Sequence, residues 1–138
     1  MNEYRYEEIS VGLREEFSFH MTEEKMKSFQ LLSGDENPMH CDEAYARSRG
    51  FKDRIVYGML SAALFSTMAG MYLPGKYSLL ENVEAAFVKP VYAGETLKVC
   101  GEVVEKNDKY RLITVKMFIL NADGHKVCRG KMNVGVLA

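Results

Sequence analysis

The chain has 138 residues, of which 47% are hydrophobic and 27% are charged, and this composition is normal for a folded globular protein. Its length suits a single domain over residues 1–138 with one hydrophobic core. The formal net charge of −1 argues against nucleic acid as the main partner, because that function needs a basic surface. No run of about 18 apolar residues occurs, so we expect no membrane span and no membrane partner.

The cysteines indicate a reducing compartment. Cys41, Cys100 and Cys128 are odd in number and lack the CxxC spacing of a paired site. This usage fits free thiols better than a disulfide framework, so we expect a cytoplasmic protein. Residues 1–9 carry charges and no apolar segment, which is unlike a signal peptide.

The first half of the chain predicts a strand followed by a capped helix. Phe17 and Phe19 alternate with polar residues over 14–20, which indicates a strand. Thr22 is suited to cap the helix that follows, and Gly34 is suited to end it. Residues 35–54 are predicted to be irregular, apart from a short turn of helix at 43–47.

The second half predicts a buried helix and a run of strands. Residues 57–70 are apolar or small on nearly every side, which is typical of a buried helix, and Pro74-Gly75 ends it. Strands are predicted at 79–89, 95–105, 110–120 and 125–137. The turns between them are short, so we expect a four-stranded antiparallel meander packed on the helix, in the α+β class.

The segment 33–42 (Ser-Gly-Asp-Glu-Asn-Pro-Met-His-Cys-Asp) is the most informative part of the chain. Asp35 and His40 are five residues apart, a spacing that points to different sides of a straight helix. Pro38 disfavours a straight helix here, so the chain bends and the two side chains can meet. A carboxylate beside an imidazole can perform acid–base chemistry near neutral pH. Taken singly, each residue is better explained as a structural loop residue.

A metal site is the weaker interpretation of the same segment. His40, Cys41 and Asp42 are consecutive, and three consecutive side chains rarely converge on one ion. No further cluster of ligand-type residues follows. We therefore expect neither a metal nor a resident cofactor.

Two segments together resemble the MaoC-like dehydratase family. Residues 33–46 resemble its hydratase motif, residues 51–60 resemble the start of its central helix, and the spacing between them also matches. The resemblance covers nearly the whole chain. It implies a hot-dog fold, in which an antiparallel β-sheet wraps around a central buried helix.

The resemblance is strongest to (R)-specific enoyl-CoA hydratases of fatty acid metabolism. These hydro-lyases add water to trans-2-enoyl thioesters and form (R)-3-hydroxyacyl thioesters. The resemblance therefore implies a thioester of CoA or of acyl carrier protein as the substrate. It also implies a homodimer or higher homo-oligomer, in which joined sheet edges would bury an otherwise exposed edge.

Matching motif positions assigns roles to individual residues by resemblance. Asp35 and His40 correspond to the catalytic pair, and Asn37 to a support between them. Gly58 corresponds to the donor of a backbone N–H to the thioester carbonyl, and Ser66 to a serine near the catalytic carboxylate.

Three further residues are candidates for the pocket: Tyr57, Met39 and Phe51. Tyr57 departs from the family pattern, which usually has histidine immediately before the glycine. We expect Tyr57 to alter the pocket while leaving the catalytic pair intact.

Two other functions stay open from the sequence. A hot-dog acyl-CoA thioesterase would hydrolyse the same substrate class on the same fold and would release free thiol. A non-catalytic subunit would bind an acyl thioester without turnover, with Tyr57 marking a degraded site.

Overall fold

The computed structural model describes residues 1–138 and contains one antiparallel sheet of five strands with four α-helices. The strands are β1 (Arg14–His20), β2 (Ser78–Phe87), β3 (Thr96–Asn107), β4 (Leu112–Leu120) and β5 (Lys126–Val136). The helices are α1 (Glu23–Ser33), α2 (Pro38–Cys41), α3 (Glu43–Ser48) and α4 (Gly58–Thr67). A short 3-10 turn at Tyr6–Glu8 precedes β1, and a π-helical turn at Met68–Tyr72 prolongs α4. None of the helices combines the length and apolar character that a membrane crossing requires.

The strand order is β1-β3-β4-β5-β2, so the predicted four-stranded meander is wrong. Strands β3, β4 and β5 do form a meander, but β2 pairs with β5 at the far edge. Residues 88–95 carry the chain across the sheet from β2 to β3, whereas a tight turn would have left those two strands paired. Gly130 permits the close approach of β2 to β5, because a Cβ at this position would overlap the Glu84 carbonyl oxygen.

The two predicted ends of α1 are confirmed. The Thr22 hydroxyl accepts a hydrogen bond from the Lys25 N–H at 3.2 Å, which satisfies one of the unpaired donors of the first turn. Gly34 ends the helix with φ +74°, a conformation that glycine adopts without a Cβ penalty. Residues 35–54 are more regular than predicted, because the side chains of Asn37 and Asp42 cap α2 and α3.

The core lies between one face of α4 and the sheet. Phe65 and Met68 are fully buried against inward-facing side chains of the central strands, such as Val99, Ile113 and Met132. The opposite face of the helix is open: its exposed side chains are Met59, Ala63 and Ser66. The predicted buried helix is therefore confirmed on the face that packs against the sheet, and its other face is open in the single chain.

Candidate active site

The bend between α1 and α2 is held by side chains that bond to nearby backbone. The Asp35 carboxylate accepts a hydrogen bond from the Asn37 N–H at 3.0 Å. Asn37 in turn caps α2, because its side-chain oxygen accepts from the Met39 N–H at 2.9 Å. Its carbonyl also accepts from the His40 N–H at 3.0 Å. Asn37 thus fixes the path of the chain between Asp35 and His40.

The His40 ring is oriented by the segment that precedes α4. Its Nδ1 lies 2.7 Å from the carbonyl oxygen of Ile55. A carbonyl oxygen only accepts, so Nδ1 carries the proton of the neutral ring and Nε2 keeps its lone pair. The Ile55 N–H donates to the Met39 carbonyl at 3.1 Å, which ties the two segments together a second time. The half-buried Met39 therefore acts through its backbone.

Tyr57 connects the two halves of the motif. Its side chain is 2% exposed, and its ring stacks on the His40 ring with centroids 4.0 Å apart and packs against Phe29. Its hydroxyl donates to the Asp35 carbonyl at 2.7 Å and contacts the Cys41 Sγ at 3.6 Å. Burial, followed by the contact with Cys41, raises the pKa of the phenol above its usual range. The hydroxyl therefore stays protonated and holds the segment between α1 and α2 through its hydrogen bond to Asp35.

A pocket of about 350 Å³ opens beside His40. Gly58 lines it at the start of α4, and its N–H has no acceptor within the chain. Phe87, at the end of β2, covers this glycine: a Cβ at position 58 would lie 3.2 Å from the Phe87 ring. The pocket therefore combines an imidazole and a free helix N-terminal N–H, which favours developing negative charge.

The structure brings only some of the predicted residues together. His40, Gly58 and Phe51 line the pocket, and Tyr57 covers another side of the His40 ring. The Asp35 side chain is exposed and lies outside the lining, and no hydrogen bond or ion pair joins it to His40.

Ser66 is separate from the pocket. It lies on the open face of α4, where its side chain forms no hydrogen bond to Asp35. The family-based role of Ser66 stays a prediction.

The sequence did not predict nine of the twelve lining residues, among them Ser61, Phe87 and Lys89. Ser61 follows Gly58 by three residues, so helical periodicity would have placed both on one face. Phe87 and Lys89 belong to β2 and the segment after it, whose position depends on the unexpected pairing with β5.

No group of three or more His, Cys, Asp or Glu side chains is arranged to hold a metal ion. A larger hollow of about 600 Å³ on the outer face of the sheet contains none of the motif residues. The pocket beside His40 is therefore the candidate active site.

Comparison with known proteins identifies the family of the chain. The model of the MaoC-like domain matches residues 7–120. The chain is 32% identical over 123 residues to an (R)-specific enoyl-CoA hydratase of Aeromonas caviae, covering 89% of this chain and 92% of that protein. It is 37% identical over 105 residues to a protein of the same name from Rhodospirillum rubrum, covering 73% of each.

A solved structure shares the architecture. An R-hydratase from Pseudomonas aeruginosa superposes with a TM-score of 0.89 at 36% identity, over 96% of this chain and 84% of that one. The predicted hot-dog fold is thereby confirmed, and the names of these relatives agree with the prediction of a hydro-lyase. The chain belongs to the MaoC-like dehydratase family.

Proposed function

We propose that this protein reversibly hydrates trans-2-enoyl thioesters to (R)-3-hydroxyacyl thioesters. One observation carries the proposal: His40, with Nδ1 engaged by Ile55 and Nε2 available, shares a pocket with the free N–H of Gly58. Hydration needs a proton acceptor for water and a donor for the carbonyl oxygen, and these two groups supply them. The names of the relatives support the same reaction.

Asp35 and His40 act on the water and its proton. The water oxygen bonds to C3, its proton passes to the pair, and the pair delivers a proton to C2 as the enolate collapses, which returns the pair to its starting state. No direct bond joins the two side chains, and we propose that one water bridges them. We treat them as one coupled unit and assign neither as the sole base. The carbonyl oxygen, which takes on enolate charge, accepts from the Gly58 N–H.

The test is hydration of crotonyl-CoA, followed as loss of the enoyl thioester absorbance. Asp35→Asn and His40→Ala should each lower kcat by about 10²-fold or more, and the double variant should lose little beyond either one. Glu36→Gln is the matched control, because Glu36 is exposed and makes no side-chain hydrogen bond. Near wild-type rates in both single variants would contradict the assignment. Release of free thiol instead of hydration would favour the thioesterase.

We also propose that the substrate is carried on CoA or on acyl carrier protein, whose phosphopantetheine arms bear phosphate. Lys89 lines the pocket and forms no ion pair with a carboxylate. Lys89→Glu should raise the KM for crotonyl-CoA and leave that for the phosphate-free crotonyl-N-acetylcysteamine unchanged. Lys109→Glu, outside the pocket, is the control. Equal effects on both substrates would contradict a phosphate contact.

A homodimer formed through β2 completes the proposal. The sheet has two free edges, and β1 is short and carries charges at Arg14, Glu15 and Glu16. The β2 edge instead exposes Leu79, Leu80, Val83 and Phe87. An exposed apolar edge strand invites pairing with a second copy. Val83→Glu should yield monomers in sedimentation, whereas an unchanged sedimentation coefficient would contradict this interface.

We place the protein in the cytoplasm, since all three cysteines are free thiols. Fractionation of cells that express the untagged protein would test this location.

A further inference from the structure

Ser61 is a nearly buried residue whose hydroxyl borders the pocket and has no hydrogen-bond partner within the chain. The residue is 3% exposed, yet it lines the pocket with His40 and Gly58, and its side chain makes no hydrogen bond within the chain. Ser28 and Ser33, which also lie in a helix, each donate to the carbonyl four residues earlier, at 2.9 and 2.7 Å. No fully enclosed side-chain oxygen or nitrogen of the chain lacks a partner, so the unpaired Ser61 hydroxyl is open to the pocket and can donate to a molecule bound there.

The usual internal partner of this hydroxyl is already occupied. The carbonyl of Tyr57, four residues before Ser61, accepts from the Leu60 N–H at 3.1 Å and from the Ser61 N–H at 3.3 Å. A carbonyl oxygen has two lone pairs, and both are used here. The Ser61 hydroxyl is therefore left for a group in the pocket.

Helix geometry places this hydroxyl beside the Gly58 N–H. Residues three apart share a helix face, and helical side chains lean towards the N-terminus over the preceding turn. Position 58 has no Cβ to stand between the two donors, and the Phe87 ring bounds this side of the pocket. The backbone donor and the hydroxyl can then converge on one oxygen atom.

We propose that Ser61 is a second donor to the thioester carbonyl oxygen, which it shares with the Gly58 N–H. The inference rests on the proposed function and adds a catalytic residue to it. The hydroxyl keeps its proton throughout and strengthens its hydrogen bond as the carbonyl becomes an enolate. Donors aimed at developing charge in a site that excludes water lower the barrier more than they improve substrate binding.

The first test is the kinetics of Ser61→Ala with crotonyl-CoA. We expect kcat and kcat/KM to fall together by about 10²-fold, the effect of removing one oxyanion donor, while KM stays within about threefold. Ser61→Thr retains a hydroxyl and should recover at least a tenth of the wild-type kcat. Ser28→Ala, which removes a helical serine hydroxyl outside the pocket, should leave both constants unchanged. A Ser61→Ala enzyme with wild-type kcat would overturn the proposal.

The second test does not need turnover. Acetoacetyl-CoA ionises to an enolate that absorbs in the near ultraviolet, and an oxyanion site lowers the pKa of the bound ligand. Ser61→Ala should bind it with a smaller enolate fraction at a fixed pH, whereas Ser28→Ala should match the wild type. An identical enolate fraction in Ser61→Ala would overturn the role of Ser61. Failure of the wild type to hydrate any enoyl thioester would instead overturn the proposed function.

Discussion

Replacing Tyr57 with phenylalanine tests whether the phenol positions the site or takes part in the chemistry. The change removes the hydroxyl that donates to the Asp35 carbonyl at 2.7 Å and its weaker contact with Cys41. It keeps the ring that stacks on His40 and packs against Phe29. The variant therefore loses the hydrogen bond to Asp35 and keeps the stacking on His40, so the two contributions can be measured separately.

The expected losses are small. A typical hydrogen bond contributes about 0.5–1.5 kcal/mol net, and the exposed Asp35 backbone can recruit water once the phenol is gone. We expect the free energy of unfolding to fall by about 1 kcal/mol and Tm by about 4 °C. A loosened Asp35 should lower kcat by at most about fivefold, because 1 kcal/mol corresponds to roughly that factor.

The assay is crotonyl-CoA hydration measured alongside thermal unfolding. Tyr4→Phe is a matched control, because it removes a hydroxyl that donates to Glu15 at 2.9 Å and lies outside the pocket. It should cost similar stability at unchanged kcat. The raised pKa keeps the Tyr57 phenol protonated at neutral pH, so Tyr57→Phe should leave the shape of the pH–rate profile between pH 6 and 9 unchanged. A folded Tyr57→Phe enzyme as inactive as Asp35→Asn would refute the positioning role.

Two further predictions concern the product and the pocket. The product of hydration should be the (R)-3-hydroxyacyl thioester, so coupling to an (S)-specific dehydrogenase should give little signal, and strong reduction of NAD would contradict it. Gly58→Ala should fold, because the atoms that its Cβ meets at 3.2 Å belong to the Phe87 side chain and a shift of a few tenths of an ångström relieves the contact, but kcat should fall at least tenfold as the methyl group intrudes beside the oxyanion donor. Wild-type kinetics in this variant would show that the carbonyl oxygen binds elsewhere.

Local chemistry made much of the fold predictable. Helix α1 begins after Thr22 and ends before Gly34, as predicted, because a helix cap depends only on residues within one turn of the helix end. Strand pairing depends on distant residues, and the short segment between the strands predicted at 79–89 and 95–105 did not reveal that β2 would pair with β5. Gly130 is required for this pairing, because any Cβ there would overlap the Glu84 carbonyl oxygen of β2. That requirement can be recognised only once the partner strand is known.

Part of the candidate site was also predictable from local sequence. The motif identified His40 and Gly58, which do share a pocket, since both are fixed by short segments joined through Met39 and Ile55. Ser61 escaped notice because a serine within an apolar helix is usually a packing residue. Its significance depends on the carbonyl of Tyr57 being occupied, which only the structure reveals.

Restoring the family's histidine at position 57 makes a further prediction about pH. The Tyr57 ring is buried and lies 4.0 Å from the His40 ring, so Tyr57→His places a second imidazole in that position. At neutral pH the new ring is mostly uncharged, and the variant should fold and hydrate crotonyl-CoA. Burial and the neighbouring ring disfavour its protonated form, so its pKa should lie below the ordinary value of about 6.5.

The sign of the effect on stability follows from that shift. The unfolded variant binds a proton at position 57 more readily than the folded one, so stability rises with pH and is lost as pH falls below about 6.5. The wild type has a phenol there that stays neutral across this range. Urea unfolding at pH 5.5 and pH 8 should therefore show a larger acid-induced loss in Tyr57→His than in the wild type. Equal losses in the two proteins would mean that the introduced ring turns away from His40 into solvent, and that the stacked arrangement depends on the phenol's bond to Asp35.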